Sequence, residues 1–378
     1  MMITAQILPL LLISLPKFST SQQNTCPLGC LCDEEKQQVI CDGPTVVNLP
    51  DRIPSGFDVL IYRNTSIRAI AKNSFRKMDK LAEVHFENNN FLSTIEKMAF
   101  KGMKRLKMLK FSNCRELTEI QKNSFSGIGN QAGLRILFEF TPIRRVEPNA
   151  FRNAQNIREL AISGEELALS RYSLANINQL DFLTISGVVL IEPEIFTNST
   201  RFHSIHIKNS NFDVPPNCFS SLSHTSLLLI EQSRINSIAP DGFSGLSTIQ
   251  IIELHANQIG TISARAFANV ENLGELKILR NTITELDTSE AIFSQALKTR
   301  VEENTLDCGC GLKWMNSVQE ISDINFCGTT GSFRSIRSFI KSKCLIPPKT
   351  QHYISNTGFP SFSNCLLLIF VILFNLKI

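Results

Sequence analysis

Between residues 57 and 297 aliphatic residues recur at short fixed offsets, and each set of them leads to a phenylalanine. A clear copy runs Leu273, Leu276, Ile278, Asn281 and Ile283, with Phe293 ten residues further on. The phenylalanine-type position falls at Phe75, Phe100, Phe125, Phe151, Leu174, Phe196, Phe219, Phe243, Phe267 and Phe293, in steps of 22 to 26 residues. Offsets 1, 4, 6 and 11 of each copy point inward, which predicts a short strand, a turn and a loosely wound return. No single copy can bury its apolar side alone, so the copies must stack on one another. The chain is therefore expected to form one extended array of about ten units.

A period near 24 belongs to leucine-rich repeats. The expected fold class is an α/β leucine-rich repeat solenoid, a horseshoe with a parallel β-sheet on its concave face and a disulfide-bonded cap at each end. Offset 9 should hold asparagine, whose amide can bond backbone groups in the turn after the strand. Asn89, Asn257 and Asn281 fill it, while Cys114, Thr141, Glu165, Val188, Ser210 and Ser233 take the other readable slots. The middle units, from about Leu134 to Thr200, depart furthest from the pattern and are expected to be the least regular.

Strand residues at offsets 2, 3, 5, 7 and 8 should face solvent on the inner sheet. Leu137, Phe140, Phe182, Leu227, Leu229, Ile251 and Leu279 are apolar there, among polar residues such as Glu83, His85, Lys110, Arg135, Glu253 and Arg280. Apolar anchors in a charged setting characterise protein-binding surfaces. The candidate partner-binding residues are Phe182, Leu227, Leu229, Ile251, His203, His206, His255 and Lys277. A register slip of one residue would turn each strand's side chains to the opposite face.

The net charge of +4 rests on 38 basic and 34 acidic groups. No contiguous Lys/Arg block is long enough to suggest nucleic acid or an anionic lipid surface as a partner. Eight of the eleven cysteines cluster at the two ends of the array, which implies an oxidising compartment. Residues 1–21, with an apolar run from Ile7 to Leu15 and small polar residues after it, read as a signal peptide. Asn64 and Asn198 begin glycosylation sequons. After a polar linker over residues 348–358, a spacer and an apolar tail fill residues 359–378, and the tail is too short to span a bilayer. That order matches the signal for exchange with a glycosylphosphatidylinositol (GPI) anchor, with Asn356 or Ser355 as the attachment residue. A membrane link through a lipid anchor is thus expected, with a short tail retained whole as the alternative.

The first cysteine cluster is Cys26, Cys30, Cys32 and Cys41, leading into Val46, Val47, Asn48, Leu49 and Pro50. It resembles the N-terminal cap of extracellular leucine-rich repeat proteins. The second, Cys308, Cys310, Cys327 and Cys344 with Leu306, Asp307 and Trp314, resembles their C-terminal cap. The resemblance implies the pairs Cys26 with Cys32, Cys30 with Cys41, Cys308 with Cys327 and Cys310 with Cys344. It places the caps at residues 22–50 and 304–347, with the repeats at 51–303. A zinc-thiolate reading of the clusters is disfavoured, because export leaves thiolates little chance to stay reduced. Cys114 and Cys218, four units apart, are expected to be free and buried, since a disulfide needs alpha carbons within about 7 Å.

No nucleophile elbow, phosphate loop or zinc-protease helix occurs, so neither an enzyme nor a cofactor is expected. The leading expectation is a GPI-tethered or secreted recognition or adhesion protein that binds an extracellular protein ligand or coreceptor. The degenerate repeats and the Leu306 to Cys310 segment are also similar to the leucine-rich repeat subunit of crustacean luciferin monooxygenase and its arthropod relatives. That likeness implies a non-catalytic stabilising subunit of a secreted enzyme complex. An innate immune pattern-recognition receptor shares the same scaffold and ranks third.

Overall fold

The computed structural model describes residues 25–199, 201–286, 296–317, 319–329 and 332–345. The signal segment, Phe293, the linker with Ser355 and Asn356, and the apolar tail lie outside the described residues. Thirteen strands follow one another across a single sheet, from Cys30–Asp33 to Ala296–Glu302. The first pairs antiparallel with Gln38–Asp42, and every later step along this path is parallel. The array is a leucine-rich repeat solenoid, with disulfides near both of its ends.

Register explains the core. Val39, Leu60, Val84, Leu109, Ile136, Leu160, Leu183, Ile205, Leu228, Ile252 and Leu276 pair in one continuous row. All are buried. Behind them the nine described phenylalanine-type residues from Phe75 to Phe267 are buried as well. Phe75, Phe100, Phe125 and Phe151 stack at 5.1, 5.6 and 5.1 Å between ring centroids. Leu174 interrupts the pile, which resumes from Phe196 to Phe267. A second pile, which the period did not suggest, runs Tyr62, Phe86, Phe111 and Phe138 on the inward side of the strands.

The return segments contain turns rather than α-helices, and among the described residues helix is confined to the C-terminal cap. In the later units the return instead adds a second short strand, as in Asn211–Val214, Arg234–Ile238, Gln258–Ile262 and Thr282–Leu286. These form a second parallel sheet that continues into the cap. In the middle units one long strand spans both sides, 18 residues in Gly129–Val146 and 15 in Gln155–Leu169. The register shifts cluster there.

The concave run of each strand is followed by a residue in the left-handed region and then by an inward-pointing one. Asn64, Asn88, Asn113, Phe140, Glu166, Gly187, Asn209, Gln232, Ala256, Arg280 and Glu303 hold the left-handed position, with φ between 48° and 72°. Asparagine and glycine tolerate it at least cost. This landmark corrects two sequence assignments. The slot after Glu166 belongs to Leu167, which is buried and pairs with Val188. Glu165 is exposed, because Gly164 and Glu165 are extra residues in that strand. Phe140 is likewise the turn residue, so its ring is 81% exposed beside the strand face rather than on it.

The inward residues after these turns carry the hydrogen-bond ladder. The backbone N–H of Ser233, Asn257, Asn281 and Asn304 donates to the side-chain oxygen of Asn257, Asn281, Asn304 and Asn325 in turn, at 2.8–2.9 Å. The amide of each asparagine donates back to a strand carbonyl, that of Ile230, Leu254, Ile278 or Val301. The ladder thus crosses from the repeats into the C-terminal cap through Asn304 and Asn325, so the cap grows out of the last turn. Trp314 is half-buried against the same core. Among the described residues no helix is long and apolar enough to cross a membrane.

Candidate protein-binding face

Three rows of side chains face the hollow of the sheet. The first runs Glu83, Met108, Arg135, Glu159, Phe182, Ser204, Leu227, Ile251, Glu275 and Lys298. The middle row runs His85, Lys110, Leu137, Ala161, Thr184, His206, Leu229, Glu253, Lys277 and Arg300. On the far side, Lys208, Glu231, His255, Leu279 and Glu302 are neighbours. Adjacent members sit about 5 Å apart, the spacing of strands in a sheet.

Most charges in these rows are matched across strands. Arg63 meets Glu87 at 3.0 Å, Lys110 meets Glu139 at 2.8 Å, and Arg135 meets Glu159 at 2.6 Å. Toward the other end Lys277 lies 3.4 Å from Glu253, and Lys298 lies 3.3 Å from Glu275. His206 Nε2 approaches Glu231 at 2.9 Å, and His255 Nδ1 approaches the other oxygen of the same carboxylate at 3.7 Å. Between these paired blocks lies an apolar interval formed by Phe182, Leu227, Leu229 and Ile251. Phe182 is 48% exposed, and its ring meets His203 edge-on at 6.1 Å. Leu227, Leu229 and Ile251 are half-buried. Leu137, expected to face solvent with them, is only 6% exposed in its place between Lys110 and Ala161.

The structure thus gathers Phe182, His203, Leu227, Leu229, Ile251, His206 and His255 on neighbouring strands, with Lys277 two strands beyond Leu229. The first cap holds Cys26 bonded to Cys32 and Cys30 to Cys41, and the second holds Cys308 bonded to Cys327 and Cys310 to Cys344. Asn64 and Asn198 are exposed, and Asn64 donates to Asp42 at 3.1 Å. Asn356 and Ser355 fall outside the described residues.

The family model described as the BspA type leucine rich repeat region matches residues 60–181 and 167–299, in six copies. The chain belongs to the BspA-type leucine-rich repeat family. No curated protein sequence matches it. Among solved structures this BspA-type protein is similar to human 5T4 (Wnt-activated inhibitory factor 1, trophoblast glycoprotein). The identity is 15% over 84% of this chain and 97% of that one, with a TM-score of 0.37. Leucine-rich repeat scaffolds are interaction surfaces, built from stacked units whose concave face is extended and solvent-facing.

Cys114 and Cys218 are free and buried within the BspA-type repeats. Burial pushes the Cys114 thiol from its ordinary 9.0 up to about 12, and acts on Cys218 in the same direction. The thiolate is the reactive form, so both should resist iodoacetamide at pH 8 in the native protein and react after unfolding in urea. A raised thiol value stabilises the fold fully below about pH 9, and that contribution is lost as pH rises toward 12. Alkylation of either residue in the native protein at the rate of a free thiol would refute this.

Proposed function

We propose that this protein is a recognition or adhesion molecule at the outer face of the cell, binding an extracellular protein or coreceptor through the concave cluster of Phe182, Leu227, Leu229 and Ile251. The observation that carries the reading is the contrast within one sheet. Charges on either side of the cluster are neutralised within the protein, while the apolar interval is left accessible to solvent. Desolvating such an interval favours association, and the surrounding ion pairs can set orientation and partner choice. The histidines at 203, 206 and 255 and Lys277 would supply that polar margin.

The rest of the reading follows the chain's ends. Residues 1–21 serve as the export signal, residues 22–50 and 304–347 as the caps, and residues 51–303 as the recognition array. The 348–358 linker carries the GPI attachment at Asn356 or Ser355, with residues 359–378 removed. Asn64 and Asn198 carry glycans. Disulfides at both ends support an oxidising destination. A protein so tethered has no segment inside the cell and needs a coreceptor to signal.

The test is a panel of recombinant extracellular proteins probed with the secreted chain and with its Phe182→Glu, Leu229→Glu, Ile251→Glu triple variant. Central anchors commonly contribute 2 kcal/mol or more each, so binding should fall at least about 100-fold while secretion persists. Partners retained at full affinity by the triple variant would exclude the concave cluster as the binding site.

A further inference from the structure

A second surface differs from the concave rows in having its charges unmatched. It lies at the edge where chain enters the strands of the N-terminal half, around a hollow of about 760 Å³. Lys80, Lys104, Arg105 and Lys107 line it, with Asn130 and Asn156 along the wall and Asp58 as the one acid. All four cations are exposed. Among the described residues none of the four has a carboxylate within ion-pair distance, in contrast to Arg63, Lys110, Arg135 and Lys277 on the adjoining face.

The backbone fixes this arrangement. Ala82 N–H donates to the backbone carbonyl of Asp58 at 2.7 Å, Lys107 N–H to that of Ala82 at 2.7 Å, and Arg135 N–H to that of Lys107 at 2.8 Å. Leu134 takes the next position along the edge, and residues 130–133, extra between the pairs at Gly129 and Leu134, bulge outward and form one wall. Gly129 makes that path possible: its φ is +141°, and a Cβ there would lie 2.0 Å from the carbonyl oxygen of Gln155. Asn130 donates to the Leu106 carbonyl, and Asn156 donates to the Asn130 carbonyl at 3.1 Å. The trough continues past Asn156 through Gln179 to Arg201 and His224. From the strand after Lys80 to the strand at Arg201 it spans five strand steps, about 24 Å.

Lys80 and Arg105 occupy equivalent positions in successive units, about 5 Å apart by strand spacing. Like charges so placed repel one another. An extended polyanion relieves that repulsion at every step. We propose that this edge, where unpaired Lys80, Lys104, Arg105 and Lys107 meet a wall of side-chain amides, is a binding trough for a sulfated polysaccharide. Sulfates satisfy the cations, and the second N–H of the Asn130 and Asn156 amides, each of which donates once within the protein, is left to donate to sugar or sulfate oxygens. The hollow at the four cations has no aromatic residue on which nucleic acid bases could stack and no large apolar side chain to insert into a bilayer. The proposal relies on the chain reaching the cell exterior, but not on the concave apolar cluster.

Heparin binding by the full chain decides the matter. Affinity should fall as salt rises, and Lys80→Ser, Lys104→Ser, Arg105→Ser, Lys107→Ser together should weaken it at least about tenfold and flatten the salt dependence. N-desulfated heparin should bind more weakly than heparin. The concave triple variant should bind heparin as the wild type does, which separates this site from the protein-binding face. So should Arg265→Ser with Arg280→Ser, whose cations are already paired with Asp241 and Glu303. The four cations are exposed, so an unchanged melting temperature should accompany the loss; a quadruple Lys/Arg→Gln variant repeats the test with longer side chains. Full heparin affinity in a folded quadruple variant would overturn the proposal. So would binding to phosphatidylserine vesicles or single-stranded DNA as tight as to heparin, which would assign the edge to a different polyanion.

Discussion

Asn281→Leu should destabilise the array by about 3–5 kcal/mol, although the two side chains have nearly the same volume. Asn281 Oδ1 accepts from the Asn257 backbone N–H at 2.9 Å and from its side-chain amide at 3.1 Å. Its own amide donates to the Leu254 carbonyl at 2.9 Å and to Asn304 Oδ1 at 3.0 Å. Leucine leaves the Asn257 N–H and the Leu254 carbonyl without these partners inside the core. Each buried orphan costs about 1–3 kcal/mol, and the loss propagates along a polarised chain of bonds. Ser210→Ala removes only the bonds to Val188 N–H and Lys208 carbonyl, so about 1–2 kcal/mol is expected there. Units of a solenoid couple mainly to their neighbours. Hydrogen exchange in Asn281→Leu should therefore accelerate first in the units around residues 250–305. An unfolding free energy from urea titration within about 1 kcal/mol of wild type, or protection lost evenly along the chain, would contradict the ladder's role.

The same ladder shows where sequence reasoning reached and where it stopped. Asn89, Asn257 and Asn281 are legible because polar residues at one fixed offset in an apolar run stand out. Asn304 and Asn325 belong to the same row, yet they sit among the cap cysteines, where the repeat period no longer marks them. In the middle units the offset fails for a steric reason: Gly164 and Glu165 add two residues between the strand and the turn, which shifts the slot to Leu167. Asparagine before the slot at Asn64, Asn88, Asn113 and Asn209 is a usable signal for the left-handed turn. Phe140 and Glu166 hide it, because the stacked neighbours impose the conformation on residues with no preference for it. The apolar concave cluster was readable from alternation along single strands. The basic trough was not, since Lys80 and Arg105 are 25 residues apart in sequence and become neighbours only once the units stack.

Phe111→Ala should be among the most damaging truncations in the N-terminal half, at about 4–5 kcal/mol, together with that of Phe125, which also meets four rings. Large core truncations of phenylalanine cost about 3–5 kcal/mol through lost transfer energy and the cavity left behind. Phe111 also joins the two ring piles. It stacks on Phe86 at 5.1 Å and Phe138 at 5.0 Å, and meets Phe100 and Phe125 edge-on at 6.3 and 6.4 Å. Each favourable ring pair adds about 0.5–1.5 kcal/mol beyond area burial, and removing this one side chain breaks four. Phe267, by comparison, has one ring partner among the described residues, Phe243 at 4.8 Å, so Phe267→Ala should sit near 3 kcal/mol, at the lower end of the range. Phe111→Leu separates the two contributions, because it refills much of the cavity without restoring any ring contact. If ring geometry matters, Phe111→Leu should remain about 1–2 kcal/mol below wild type. Equal losses for Phe111→Ala and Phe267→Ala in urea unfolding, with full recovery in Phe111→Leu, would mean that the rings act only as volume and that the crossing of the two piles contributes nothing of its own.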